Sequence, residues 1–167
     1  LIATAARAQP WTIAADEAQR MALEADTTFG TDSPDAGRRG MEAARAIGLL
    51  TYRGSSAYNA TQQEHDDPDK TRGFRACSYQ RHQGEKLSRR FDAYSYRRIT
   101  EAFDSHNVGR GRGGVERALG TIGADTLVVG ITSDIILPVG EQLALWRHIP
   151  HCRMELIVSD FGHGGFL

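Results

Sequence analysis

Only two of the 167 residues are cysteine, Cys77 and Cys152, and neither has a second thiol nearby. That scarcity excludes a disulfide-rich secreted scaffold and a zinc module built on cysteines. No apolar run approaches the roughly 20 residues a membrane-spanning helix needs, which argues against a membrane protein. A reducing, cytoplasmic setting is the expectation. Neither sign of charge dominates, with 20 Lys+Arg against 21 Asp+Glu and a formal net charge of -1. Also missing are an initiator Met and the basic start of a secretory signal. The chain opens Leu1-Ile2-Ala3-Thr4-Ala5-Ala6, which reads as the tail of a buried strand, and closes on Gly164-Gly165-Phe166-Leu167 with no polar tail. The expectation is a piece of a longer protein.

What is present fits one globular domain. At 18.3 kDa and 40% hydrophobic residues, a chain of this length buries about 70% of the surface its unfolded form exposes. Pro10 followed by Ile13, Ala14, Ala18, Met21, Ala22 and Ala25 predicts a helix with proline in its first turn. Residues 27–39, broken by Gly30, Pro34 and Gly37, read as a loop. A second helix is expected over residues 41–50, with Met41, Ala44, Ile47 and Gly48 on one face. His65-Asp66-Asp67-Pro68-Asp69 reads as a turn.

Charge is patterned rather than uniform. Residues 70–98 hold nine Lys/Arg and two acids, whereas residues 16–69 hold eleven acids and five arginines. The expectation is that the two stretches pack face to face in one helical layer. Phe74, Tyr79, Phe91, Tyr94 and Tyr96 interleave with the basic run in the manner of a single-strand nucleic-acid platform. The near-neutral total and the acidic neighbour argue against that, and no nucleic-acid partner is expected. His148, His151 and Cys152, and His65 beside Asp66 and Asp67, complete no ligand set at structural-site spacing, so no metal is expected.

From residue 111 the pattern alternates. A short helix at 115–119 precedes the run Asp125-Thr126-Leu127-Val128-Val129-Gly130-Ile131, which has the character of a buried parallel strand. A helix at 139–147 and a strand at 153–158 follow, and strand–helix–strand with short links implies a parallel pair. Ligands of open parallel sheets bind at the carboxyl ends of the strands. Asp134 follows the first strand there, and His163 lies in the glycine-rich loop after the second. An Asp in this position is often only a helix cap, and a His beside glycines is often only a turn residue. The pair, in the order Asp then His on consecutive strands, instead fits two members of a Ser-Asp-His hydrolase triad. An Asp on one ring nitrogen fixes the tautomer and frees the other nitrogen as a base. No Gly-x-Ser-x-Gly elbow occurs, so the nucleophile is expected upstream of this sequence.

Several segments together resemble the homoserine O-acetyltransferase family. They are Trp11-Thr12-Ile13-Ala14 with Asp16-Glu17-Ala18-Gln19-Arg20; the run from Ala43-Ala44-Arg45 through Thr51-Tyr52-Arg53; Arg89-Arg90-Phe91-Asp92 through Tyr96, then Phe103 through Arg110; Ser133-Asp134 with Pro138; and Gly162-His163 with Phe166-Leu167. The resemblance implies a partial α/β-hydrolase fold, parallel sheet strands with an inserted helical cap. In that scheme residues 1–9 end a core strand, 10–108 form the cap, and 109–167 are a carboxyl-terminal core segment. It also implies ping-pong transfer of acetyl from acetyl-CoA, a co-substrate and not a resident cofactor, to the hydroxyl of L-homoserine in methionine biosynthesis. His163 is then the general base, Asp134 its orienting partner, Arg45 the substrate-carboxylate ligand and Tyr52 a further pocket residue. A homodimer through the cap helices is implied as well. The family places an acid directly after the histidine, where it holds the substrate ammonium, but this chain has Gly164. Either another acid substitutes or the acceptor differs, L-serine or another hydroxyl. A succinyl donor and an esterase are the remaining alternatives, and the 167 residues alone are expected to be inactive.

Overall fold

The computed structural model describes residues 1–67 and 69–167; the turn expected at residues 65–69 includes Pro68, which lies outside them. The described residues between Pro10 and Asp104 build helices only: α1 (Pro10–Glu24), α2 (Arg38–Tyr52), α3 (Ser55–Gln62), α4 (Arg75–Ser88) and α5 (Ala93–Asp104). The rest alternates as α6 (Val115–Gly120), β1 (Thr126–Ile131), α7 (Val139–His148) and β2 (Cys152–Ile157), then a single 3₁₀ turn, Gly162–Gly164. A helical layer followed by a strand–helix–strand unit is the order that was expected.

β1 and β2 run parallel in register Thr126↔Cys152 through Ile131↔Ile157. On the other edge of β1, Val129 donates to Leu1 O and accepts from Ala3 N, both at 2.8 Å, with Ile2 opposite it. β1 is therefore flanked on both edges, and its Val128 anchors a core of Ala6, Leu119, Leu145 and Ile149. Each such aliphatic side chain stabilises by about 1.5–3 kcal/mol when fully buried. The expectation of strands buried on both faces is not met throughout: Leu127 and Leu156 are exposed, and Val158 is 88% exposed.

α1 starts where Pro10 predicts, because its fixed φ suits a first turn and its missing N–H has no partner to lose there. The face it buries is a surprise. Thr12, Asp16, Gln19, Arg20 and Leu23 point inward, while Ile13 and Met21 are exposed. Only the lower end of α1 meets an apolar core, that of Leu23, Met41, Ala44 and Ala93. α1 and α2 touch closely at Gly40, where a Cβ would come within 2.7 Å of Ala22 O.

Residues 55–104, left without assigned helices in the sequence reading, form α3, α4 and α5. α5 is capped by Asp92, whose carboxylate accepts from Ser95 N at 2.8 Å. The layered charge pairing is sparse. Among the described residues, only Lys70–Glu64 at 3.0 Å and Arg97–Glu24 at 3.4 Å join the basic stretch to the acidic one. Arg38, Arg89 and Arg98 pair instead one turn along their own helices, where side chains three and four residues apart are neighbours. The interleaved aromatics are also engaged internally. Tyr94 stacks on Phe29 at 5.0 Å, Tyr79 meets Tyr58 edge-on at 5.8 Å, and Phe91 meets Tyr96 at 6.4 Å.

Candidate active site

Asp134 sits in the turn that leaves β1. Its Oδ1 accepts from Ile136 N and Leu137 N at 3.0 and 2.9 Å, which ties that turn together and fixes the carboxylate. Its Oδ2 is thereby aimed at His163, whose Nδ1 donates to it at 2.7 Å. The Asp134 side chain is fully buried and the imidazole is partly open, so Nε2 is left to face whatever enters. A charge-assisted hydrogen bond of this length holds the ring in one tautomer.

The loop carrying His163 is held at its root by backbone contact. Gly162 has φ +70, a left-handed conformation that glycine adopts without strain. Its N–H donates to Ser133 Oγ at 2.9 Å, and Ser159 N donates to Thr132 Oγ1 at 3.2 Å. The loop lies directly on the α2–α3 junction at Gly54. Helix α2, with Tyr52 in its last turn, and the histidine loop are thus positioned by one another.

His163 forms one wall of a cleft of about 420 Å³ between the helices and the strand ends, shared with Thr12 and Asp16 of α1, Tyr52 of α2, Phe103 of α5 and Leu137. The Tyr52 and His163 rings lie 6.1 Å apart, and burial, then the nearby Asp16 carboxyl, pushes the Tyr52 hydroxyl above its ordinary pKa. Arg45 is one contact removed. Its guanidinium lies over the Tyr52 ring at 5.6 Å, and it does not line the cleft. The structure therefore brings three of the four expected site residues to one place and sets Arg45 behind Tyr52. Among the described residues no group of three or more His, Cys, Asp or Glu side chains is arranged to hold a metal ion, and no helix is long and apolar enough to cross a membrane.

The sequence reading gave Asp16 no part in the site. It is 7% exposed, and Gln19 Nε2 donates to its Oδ1 at 3.0 Å. Burial first, and the Asp104 carboxylate second, push its pKa up to about 6. The neighbouring cation is already engaged, because Arg20 Nη2 lies 2.6 Å from Asp104 and 2.7 Å from Glu17. Asp104 Oδ1 is buried with no donor of its own, and the nearby Asp104 carboxylate favours the protonated form of Asp16. A raised carboxyl pKa means the folded state prefers the proton, so stability falls as pH rises from the unfolded value near 4 through about 6. The cost at neutral pH is on the order of 3 kcal/mol. Asp16→Asn, which keeps an acceptor for Gln19 and adds a donor for Asp104, is expected to stabilise the protein by about 1–3 kcal/mol at about pH 8 and by much less at about pH 4. Chemical denaturation midpoints at the two pH values check this; a gain independent of pH contradicts it.

A hydrogen-bonded Asp–His pair at the carboxyl ends of two parallel strands, under a helical layer that closes a cleft over it, defines a protein of the α/β-hydrolase fold. The solved structure of an enzyme called esterase E22 superposes on 97% of the chain and 48% of its own length, with a TM-score of 0.84 and 18% identity, and supports the fold alone. No protein-family model matches the sequence. The homoserine O-acetyltransferase of Cyclobacterium marinum is 42% identical over 167 residues, all of this chain and 47% of that protein. The solved homoserine O-acetyltransferase of Staphylococcus aureus matches 99% of the chain and 45% of its own length, at 28% identity and TM-score 0.75. Over its whole length the chain is similar to homoserine O-acetyltransferases, and it spans about half the length of the curated relatives it matches.

Proposed function

We propose that the protein carrying this sequence is an acyltransferase that moves an acetyl group from acetyl-CoA to the side-chain hydroxyl of L-homoserine. The observation that carries the reading is the 2.7 Å Asp134–His163 hydrogen bond on the wall of a cleft, in a chain whose relatives bear the name homoserine O-acetyltransferase.

The chemistry runs in two halves. A serine supplied from outside these 167 residues gives its proton to His163 Nε2 as its oxygen attacks the thioester carbonyl. The C–S bond breaks, the imidazolium protonates the departing thiolate, and the acetyl group stays on the serine. The homoserine hydroxyl then gives its proton to the same nitrogen and attacks the acetyl carbonyl. O-acetylhomoserine leaves as the serine takes the proton back. Asp134 stabilises the imidazolium in both halves and holds its ring in place. Tyr52 forms the side of the cleft that receives the acceptor carboxylate, with the Arg45 guanidinium stacked behind its ring as the nearest positive charge on that side. Cap-to-cap dimerisation through the helical layer is part of the same proposal.

Thiol release from acetyl-CoA by the full-length protein, with L-homoserine, L-serine or no acceptor, tests the reading. Release driven by homoserine alone is the expected result. Equal release with serine or with water leaves the fold and the Asp–His pair standing but removes the homoserine assignment.

A further inference from the structure

We propose that the Asp16 carboxylate is the anchor for the ammonium group of the amino-acid acceptor, and so the residue that selects an amino acid over a hydroxy acid of the same length. The inference rests on the acyl-transfer reading for its ligand class, but the site itself is read from the cleft.

An α-amino acid brings an anion, a cation and here a hydroxyl, and each needs a partner once water is displaced. The hydroxyl belongs at His163 and the carboxylate on the Tyr52 side, with the Arg45 charge behind that ring. For the cation the cleft offers little choice. Among the described residues that line it, Asp16 is the one acid; Asp134 lies behind the histidine, and the residues after His163 are Gly164 and Gly165. Asp16 is also a carboxyl without a cation of its own. The charges that face it are Arg20 on α1, drawn away by Glu17 and Asp104; Asp104 and the Tyr96 hydroxyl on α5; and the Tyr52 hydroxyl on α2 with Arg45 beyond it. Gln19 orients it through Oδ1. A helix that turns Thr12, Asp16 and Gln19 inward instead of Ile13 and Met21 forgoes apolar burial, and Asp16 makes the folded protein less stable at neutral pH. Local rules broken in this way are found where a binding group must be held in a desolvated place. An incoming ammonium would supply the missing counter-charge and favour the ionised form.

The test is binding measured without any acyl donor, so that it does not depend on turnover. Titration calorimetry of the full-length protein is done with L-homoserine and with 4-hydroxybutanoate, which has the same hydroxyl and carboxylate but no ammonium. The native protein is expected to bind L-homoserine about ten- to a hundred-fold more tightly, and Asp16→Asn to reduce that ratio to within about threefold of unity. A ratio that survives in Asp16→Asn, or a native protein that does not distinguish the two compounds, overturns the proposal. Should Asp16→Asn fold poorly, the native ratio between about pH 8 and pH 5.5 decides. It is expected to fall about fourfold as Asp16 takes up its proton, and a flat ratio overturns the assignment. If thiol release shows no homoserine dependence while the binding ratio depends on Asp16, the reaction assignment fails and the ammonium site stands.

Discussion

Asp134→Asn in the full-length protein is expected to lower the acyl-transfer rate by about 10³- to 10⁴-fold while leaving the fold intact. The effect is large because two jobs of one carboxylate come apart. Oδ1 accepts the Ile136 and Leu137 amides, and an asparagine carbonyl can do the same, so the turn after β1 survives. The amide NH₂ would then occupy the place of Oδ2, 2.7 Å from His163 Nδ1. An NH₂ there can only donate, which forces Nδ1 to accept and puts the ring proton on Nε2. A base whose working nitrogen is already protonated cannot take the proton of a serine or of the acceptor hydroxyl. His163→Ala removes the base outright and is expected to lose at least as much. Steady-state thiol release together with a denaturation curve separates the cases. An asparagine variant that keeps its midpoint and loses activity supports the pairing, whereas one within tenfold of the native rate means that Asp134 is only the cap of its turn.

The parts of the site that were legible in the sequence are those fixed by strand geometry. A β-branched run ending at Ile131 and a second strand before a glycine-rich loop place Asp134 and His163 at neighbouring carboxyl ends whatever the packing of the rest, and the 2.7 Å hydrogen bond follows from that placement. β2 runs Cys152–Ile157 where residues 153–158 were expected, a shift of one residue that leaves the loop in place. The helical side was less legible. A single proline started α1 correctly, yet the rule that apolar residues mark the buried face failed, because α1 turns Thr12, Asp16 and Gln19 inward, the first two onto the cleft, and meets an apolar core only at Leu23. Nothing local in Asp16-Glu17 marks Asp16 as buried, because the cation beside it, Arg20, is held by Asp104, 84 residues further along the chain. The signal was the spacing of Thr12, Asp16, Gln19 and Leu23, a helical stripe that becomes visible only if polar residues are allowed to form one. Arg45 and Tyr52 came from resemblance rather than pattern, and the geometry separates them, with Tyr52 in the cleft and Arg45 stacked behind it.

Gly54→Ala is expected to lower activity by about a hundredfold or more and to cost roughly 1–3 kcal/mol of stability, although Gly54 touches no reacting group. Two chain segments cross there with no room for a side chain. A Cβ on Gly54 would come within 2.0 Å of Asp160 O, and one on Gly162 within 2.5 Å of Gly54 N and 2.7 Å of Tyr52 O. Every one of those near neighbours is backbone, so no rotamer change can relieve the contact; the histidine loop has to move away from the end of α2 by more than 1 Å. That displacement acts on the distance the chemistry depends on, since Asp134 is fixed by its own turn while His163 travels with the loop. The activity loss should therefore be one of rate, with acyl transfer falling more steeply than the folded fraction. The comparison is Gly140→Ala in the first turn of α7, where a Cβ meets nothing within 4 Å; it should be neutral or slightly stabilising, as alanine is in a helix. Equal activity in the two variants would mean that the loop finds His163's position without the Gly54 contact, and that the Asp134 hydrogen bond alone is enough to hold it.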